Sequence, residues 1–248
     1  MVDRSYDIYY ALQSKLLAYW DAERVDLIYP TPSEGSSVSM WRDIVAGRPA
    51  TQGTGAAQPV WQSAGIGNHP GISFDGLDDT FLFNLPAGTF PSGIVPCEMW
   101  ALGKSLAASS DTSTRYLFSM GDNATLRGVR ASGSNETTTI FRMGGALSGT
   151  GTTTILPLNR GVLPSFCRLQ TGSTQASATT NGSIADMVTG SIVPNAGAVR
   201  IRIGGSPFSV ANGLFNGVIS LCALFKEALT DAEAGDLSRY LEYRRYLP

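Results

Sequence analysis

From residue 97 to residue 203 the chain never sustains a helical spacing of apolar residues. It offers short runs of alternating apolar and polar residues, closed by Gly, Asn, Asp, Ser or Thr. With similar runs on either side, at 17–23, 38–43, 71–76, 80–84 and 218–225, about a dozen short strands are expected. A parallel α/β sheet needs a helix between successive strands, and none is legible here. The pattern therefore points to two packed antiparallel sheets. No linker or internal repeat divides the 248 residues, and a sandwich of this length is commonly one unit.

Helices are expected only at the two ends. Ile8, Leu12 and Leu16 recur at four-residue spacing and predict a short helix over 5–18. Near the other end, Thr230-Asp231-Ala232-Glu233 has the form of a capping box, with each side chain placed to bond the other residue's N–H. Ala234, Leu237 and Leu241 then make one apolar stripe. A helix over 230–245 should lie on the sandwich by that stripe.

Composition excludes several functions. The formal net charge is −2 and no long basic run exists, so nucleic-acid binding is not expected. No run of eighteen apolar residues exists, so no membrane insertion is expected. The N-terminus lacks the apolar core of a secretory leader. Cys97, Cys167 and Cys222 are an odd number at no metal-binding spacing, and read as buried thiols of a protein made in a reducing compartment.

Candidate chemistry is sparse. Glycosidases need two carboxyl groups at set separations, about 5–5.5 Å for retention. The chain contains no Glu-x-Asp, and Glu98, the one Glu inside a convincing central strand, has no acidic neighbour at i+2 or i+4. No catalytic residue is expected. Gly103-Lys104-Ser105 ends a strand, but Glu98 stands where a phosphate loop requires glycine. His69, before Pro70, reads as a turn-exposed structural residue. Asp75, Asp78 and Asp79 are the one dense acidic cluster outside the helix cap. They could offer oxygen ligands to Ca²⁺. The competing reading is a hairpin turn at Asp75-Gly76 whose Asp side chains bond local N–H groups. No cofactor is expected on that second reading. Trp20, Trp41 and Trp100 occupy core-like positions, which leaves Trp61 as the candidate for stacking on a sugar ring.

Several pieces of the chain, in order, resemble the concanavalin A-like and laminin-G-like lectin-fold domains. They are Tyr19-Trp20-Asp21, Trp41-Arg42-Asp43, Phe74-Asp75-Gly76-Leu77-Asp78-Asp79 and Asn181-Gly182. Gly204-Gly205, Phe215 to Ile219, Leu229 to Glu233 and Tyr240-Leu241 complete the set. The resemblance spans roughly residues 16–246 and implies an all-β, two-sheet antiparallel jelly-roll sandwich. A C-terminal capping helix and a short N-terminal helix complete the expected fold. Residues 1–15 would be an N-terminal extension and 16–248 the sandwich domain.

Such domains occur in bacteriophage tail, fibre and head-decoration proteins. The resemblance thus implies a non-enzymatic structural or attachment protein of the virion, assembled in the host cytoplasm as an oligomer or part of a larger assembly. Its partners would be other virion proteins and a host surface glycan. Tyr6, Ile8, Tyr9, Tyr10 and Leu12 would dock it to the particle. The alternatives on the same fold are a carbohydrate-active enzyme and a cellular lectin-like adhesion module.

Overall fold

A computed structural model describes residues 9–85, 97–106, 114–121, 126–133, 139–143, 155–158, 165–171, 175–180, 188–191, 200–206 and 213–246. The strands in chain order begin with β1 (Leu16–Asp21), β2 (Ile28–Tyr29), β3 (Met40–Arg42), β4 (Pro49–Thr51), β5 (Val60–Ile66) and β6 (His69–Asp75). They continue with β7 (Phe81–Asn84), β8 (Cys97–Ser105), β9 (Thr114–Gly121), β10 (Leu126–Gly133), β11 (Thr139–Met143) and β12 (Ile155–Leu158). The last are β13 (Ser165–Thr171), β14 (Gln175–Thr180), β15 (Val188–Ser191), β16 (Arg200–Ile203) and β17 (Asn216–Phe225), followed by the helix α1 (Asp231–Tyr246).

The strands form two antiparallel sheets, an all-β sandwich. The eight-stranded sheet runs β15-β14-β13-β8-β17-β6-β5, with β1 also paired to β17; the nine-stranded sheet runs β12-β11-β10-β9-β16-β7-β4-β3-β2. β17 is the axis of the first sheet. One of its edges follows β8 throughout. The other pairs with β6 over Asn216–Ile219 and with β1 over Leu221–Phe225. The change of partner coincides with a bulge at Ser220 in the β17–β8 register. A bulge places two successive residues on one face and re-aims the strand, which is what a fork between two partners needs.

Alternation sorts the core. Ala18, Trp20, Met99, Ala101, Ile219, Cys222 and Leu224 face the other sheet, where they meet Trp41, Phe81, Phe118, Ile201 and Ile203. Trp20 packs edge-on against Phe83 and Phe118, at centroid separations of 5.6 and 5.8 Å. The opposite face of the same strands carries Leu16, Tyr19, Trp100, Leu102, Leu221, Ala223 and Phe225. These are buried beneath Ala234, Leu237, Tyr240 and Leu241 of α1. Over β1, β8 and β17 the eight-stranded sheet is therefore covered on both sides, one by its partner sheet and one by the helix. Burial also drives the Cys222 thiol well above its ordinary pKa, consistent with an unreactive core residue. The side chains of Cys97 and Cys167 lie outside the described residues, as does Asn181-Gly182.

The capping box forms. The Thr230 N–H donates to Glu233 Oε2 at 2.7 Å, and the Glu233 N–H donates to Thr230 Oγ1 at 3.4 Å. Glu233 also takes the Lys15 ammonium at 2.7 Å, and that contact, ahead of the Thr230 bonds, holds its pKa below the usual carboxylate range. Thr230→Ala should lower stability by about 0.5–2 kcal/mol. An unchanged urea midpoint would mean that the cap contributes nothing.

Three expectations change. Among the described residues the N-terminal helix covers 9–12, and β1 begins at Leu16; residues 5–8 lie outside the described residues. The predicted helix over 5–18 ran too far because Leu16 serves the strand rather than the helical stripe. Between the runs at 38–43 and 71–76, where no strand is expected, lie β4 and β5. Asp75-Gly76 is not a hairpin: β6 belongs to one sheet and β7 to the other, so the turn is an arch between sheets. Gly76 does adopt positive φ, at 77°. That signal marks a tight reversal, and the sheet in which the chain resumes is decided by burial.

Candidate functional site

The resemblance motifs prove to be built around buried acids. In Trp41-Arg42-Asp43 the indole is core, and the fully buried Asp43 accepts from the N–H groups of Ala46 and Arg48, both at 2.9 Å. The Arg48 side chain closes the loop on Asp43 Oδ2 at 3.1 Å. In Tyr19-Trp20-Asp21, Trp20 is core and Asp21 turns to the helix side. There it meets Arg244, which is 1% exposed. Arg244 Nη1 donates to Asp21 Oδ1 at 2.9 Å and Nη2 donates to Ser220 Oγ at 2.7 Å. Ser220 Oγ in turn donates to the Pro70 carbonyl at 2.8 Å.

The guanidinium thus ties α1 to β1, to the bulge of β17 and, through Ser220, to β6. Burial works against its charge, but Asp21, Tyr240 and Glu23 outweigh burial and raise its pKa further above the ordinary arginine range. Tyr19 and Tyr240, which border the same cluster, are held protonated, chiefly by burial. Arg244 is not among the residues singled out from the sequence. The available signal was Asp21, an acid at the end of an otherwise apolar strand.

Glu98 is fully buried on the helix side of β8. Its Oε1 accepts from Trp100 Nε1 at 2.5 Å and its Oε2 from the Leu229 N–H at 2.9 Å, just before the cap. Both oxygens are occupied in anchoring the helix entry. His69 is not turn-exposed: it opens β6, half-buried, with Nδ1 2.7 Å from Glu23 Oε1 and its ring 6.1 Å from that of Tyr243.

The acidic turn does come together. One carboxylate oxygen each from Asp75, Asp78 and Asp79 lies within 4.8 Å of the others. Most of their visible bonding is local. Asp75 Oδ1 accepts from the N–H groups of Leu77 and Asp78, at 2.7 and 3.3 Å, and Asp79 Oδ2 accepts from the Asp75 N–H at 2.9 Å. A Cβ at Gly76 would stand 2.8 Å from Arg115 Nη1, so a guanidinium also borders the turn. The cluster could present three of the six to eight oxygens Ca²⁺ takes. As built, it is an arch fastened by its own side chains.

Burial, with the charges of Asp75 and Asp78, raises the pKa of Asp79 from 3.8 to about 6, against the pull of its backbone hydrogen bond. The folded state therefore binds a proton more tightly than the unfolded chain. The stability this gives is complete below pH about 4 and is lost as pH rises through about 6. At pH 7 Asp79→Asn should be more stable than the parent by about 1–3 kcal/mol, and near pH 4 the two should match. A difference between them that does not change with pH would refute the assignment.

Trp61 is 8% exposed and belongs to the inter-sheet core, its Nε1–H pointing at the Ala22 carbonyl at 3.5 Å. That burial leaves no open indole face for a sugar. Of the docking set, Tyr6 and Ile8 lie outside the described residues. Leu12 is 3% exposed in the cluster under α1, Tyr9 packs against that cluster, and Tyr10 is 58% exposed. Residues 9–15 are thus joined to the sandwich, as the Lys15–Glu233 ion pair also shows.

No protein-family model and no curated protein sequence matches this chain. Solved structures do. Domain 4 of AbnA, a GH43 extracellular arabinanase from Geobacillus stearothermophilus determined in complex with arabinotriose, superposes with a TM-score of 0.57. The identity is 17%, covering 90% of this chain and 98% of that one. Trypanosoma rangeli sialidase in complex with sialic acid gives 0.59 at 14% identity over 94% of this chain. The binding domain of botulinum neurotoxin serotype D gives 0.60 at 8% identity, also over 94%. The chain spans 34% of the sialidase and 52% of the toxin domain. At identities this low the likeness establishes a shared β-sandwich fold and nothing beyond it.

Proposed function

We propose that this chain is a non-enzymatic, lectin-like recognition module that attaches a bacteriophage particle to host-surface glycan. The observation that carries the non-enzymatic part is the state of Glu98. The carboxylate that a strand-borne glycosidase mechanism would use is sealed beneath α1 with both oxygens engaged. Binding by a surface needs no such group. The glycan part draws support from the fold, shared with a domain determined with arabinotriose and with a sialidase determined with sialic acid. The virion part rests on the sequence resemblance. For docking, Tyr10 is the exposed aromatic of the described N-terminal residues, with the half-buried Tyr9 against it at 5.3 Å.

One experiment tests binding against cleavage: the purified chain on a glycan array, with the same glycans in solution assayed for released reducing ends. Retention without release is expected. Release that disappears in Glu98→Gln would overturn the reading, and so would an array with no retained glycan. Removing residues 1–14 cannot test docking cleanly, because Leu12 goes with them. Tyr10→Ala can: incorporation into particles should fall at unchanged thermal stability, and normal incorporation would exclude Tyr10 from docking.

A further inference from the structure

The two outer faces of the sandwich are unlike. That of the eight-stranded sheet lies under α1 across β1, β8 and β17. On the nine-stranded sheet, the register sets Tyr29, Met40, Thr51 and Leu82 side by side across β2, β3, β4 and β7. Their chain neighbours Ile28, Trp41, Ala50, Phe81 and Phe83 are in the core, so this row faces outward. Arg42 and, opposite Arg200, Asn84 lie two residues further along the same outward face. Tyr29 is 63% exposed. Arg42, Thr51, Asn84 and Arg200 are exposed, and Met40 and Leu82 are half-buried.

At about 4.8 Å per strand, the row from Tyr29 to Leu82 runs about 14 Å, the scale of a short oligosaccharide. The backbone of Tyr29 is fixed: the N–H and the hydroxyl of Ser39 both donate to its carbonyl, at 3.0 and 3.1 Å. The seven residues named include two arginines and no acid. Arg42 uses Nη1 on the Gly47 carbonyl, at 3.3 Å, and a guanidinium has five donors, so others remain.

We infer that this face is the glycan site, and that it selects carboxylate-bearing sugars. The inference rests on the proposed glycan recognition and adds to it a place and a ligand class. Tyr29 supplies a rigid ring for the apolar face of a pyranose, and Thr51 and Asn84 exchange hydrogen bonds with hydroxyls. Arg42 and Arg200 meet the carboxylates, for which the planar guanidinium is matched in shape as well as charge.

The test uses the full chain and two matched pairs of probes: oligogalacturonate with its methyl ester, and sialyl-lactose with lactose. At least one acidic member should bind tenfold or more tighter than its neutral counterpart, and added salt should weaken it. Tyr29→Ala and Arg42→Gln should each cost tenfold or more in that binding, with unchanged melting temperature because both side chains are exposed. Equal binding of acidic and neutral members overturns the ligand class. Parental binding by both variants overturns the location and leaves glycan recognition standing. Failure of all four probes overturns this ligand class, and an array that also retains nothing overturns the reading beneath it.

Discussion

Arg244→Met should destabilise the protein by about 3–5 kcal/mol, because it leaves the fully buried Asp21 carboxylate without its cation. In a chain of this size that corresponds to a fall of roughly 6–20 °C in melting temperature. Arg244→Lys should recover little. The guanidinium reaches Asp21 with one nitrogen and Ser220 with the other, and a compact ammonium cannot span both. The double variant Asp21→Asn, Arg244→Met separates charge from packing. Once the acid is neutral, most of the loss should return, since replacing both members of a buried pair costs less than removing one. If the double variant is as unstable as Arg244→Met alone, the lost term is the packing of α1, and the ion pair is incidental. Thermal and urea unfolding at pH 7 decide between the two.

This lock also marks where the sequence stops being readable. Strand positions were legible because side-chain alternation is a local property: β1, β3, β6, β7 and β17 lie within a few residues of the runs at 17–23, 38–43, 71–76, 80–84 and 218–225. The helix and its cap were legible for the same reason, as Thr230, Glu233 and the Leu237–Leu241 stripe all lie within a few turns. Arg244 and Asp21 are 223 residues apart, and nothing near either names the other. The arch at Asp75-Gly76 was misassigned because a hairpin and an inter-sheet connection use the same turn chemistry. The short strands β2 and β4 are held by the neighbours that complete the sheet, and intrinsic preference over two or three residues is too weak to announce them, whereas β3 falls inside the run at 38–43. The face carrying Tyr29 and Arg42 follows from the register of β2, β3 and β4, and a single run at 38–43 does not reveal it.

The second large effect is expected at Gly217. It lies in β17 between Lys104 and Ser105 of β8 on one side and Phe74 of β6 on the other, at φ 155°. A Cβ there would stand 2.2 Å from the Lys104 carbonyl oxygen and 2.8 Å from the Phe215 ring. The first contact is with backbone in the adjoining strand, so no rotamer change relieves it. β17 would have to part from β8 or slide, in a sheet where it also carries β6 and β1. Gly217→Ala should therefore cost about 3–5 kcal/mol, combining backbone strain with overpacking. Gly35 supplies the control. Its φ is 75° and nothing lies within 4 Å of its added Cβ, so Gly35→Ala meets strain alone, about 1–2 kcal/mol. Measured side by side, the two urea midpoints should differ in proportion. Equal losses would mean that the clash is absorbed by movement of β17, and that this strand, the axis of the covered sheet, is less firmly set than its three partners imply.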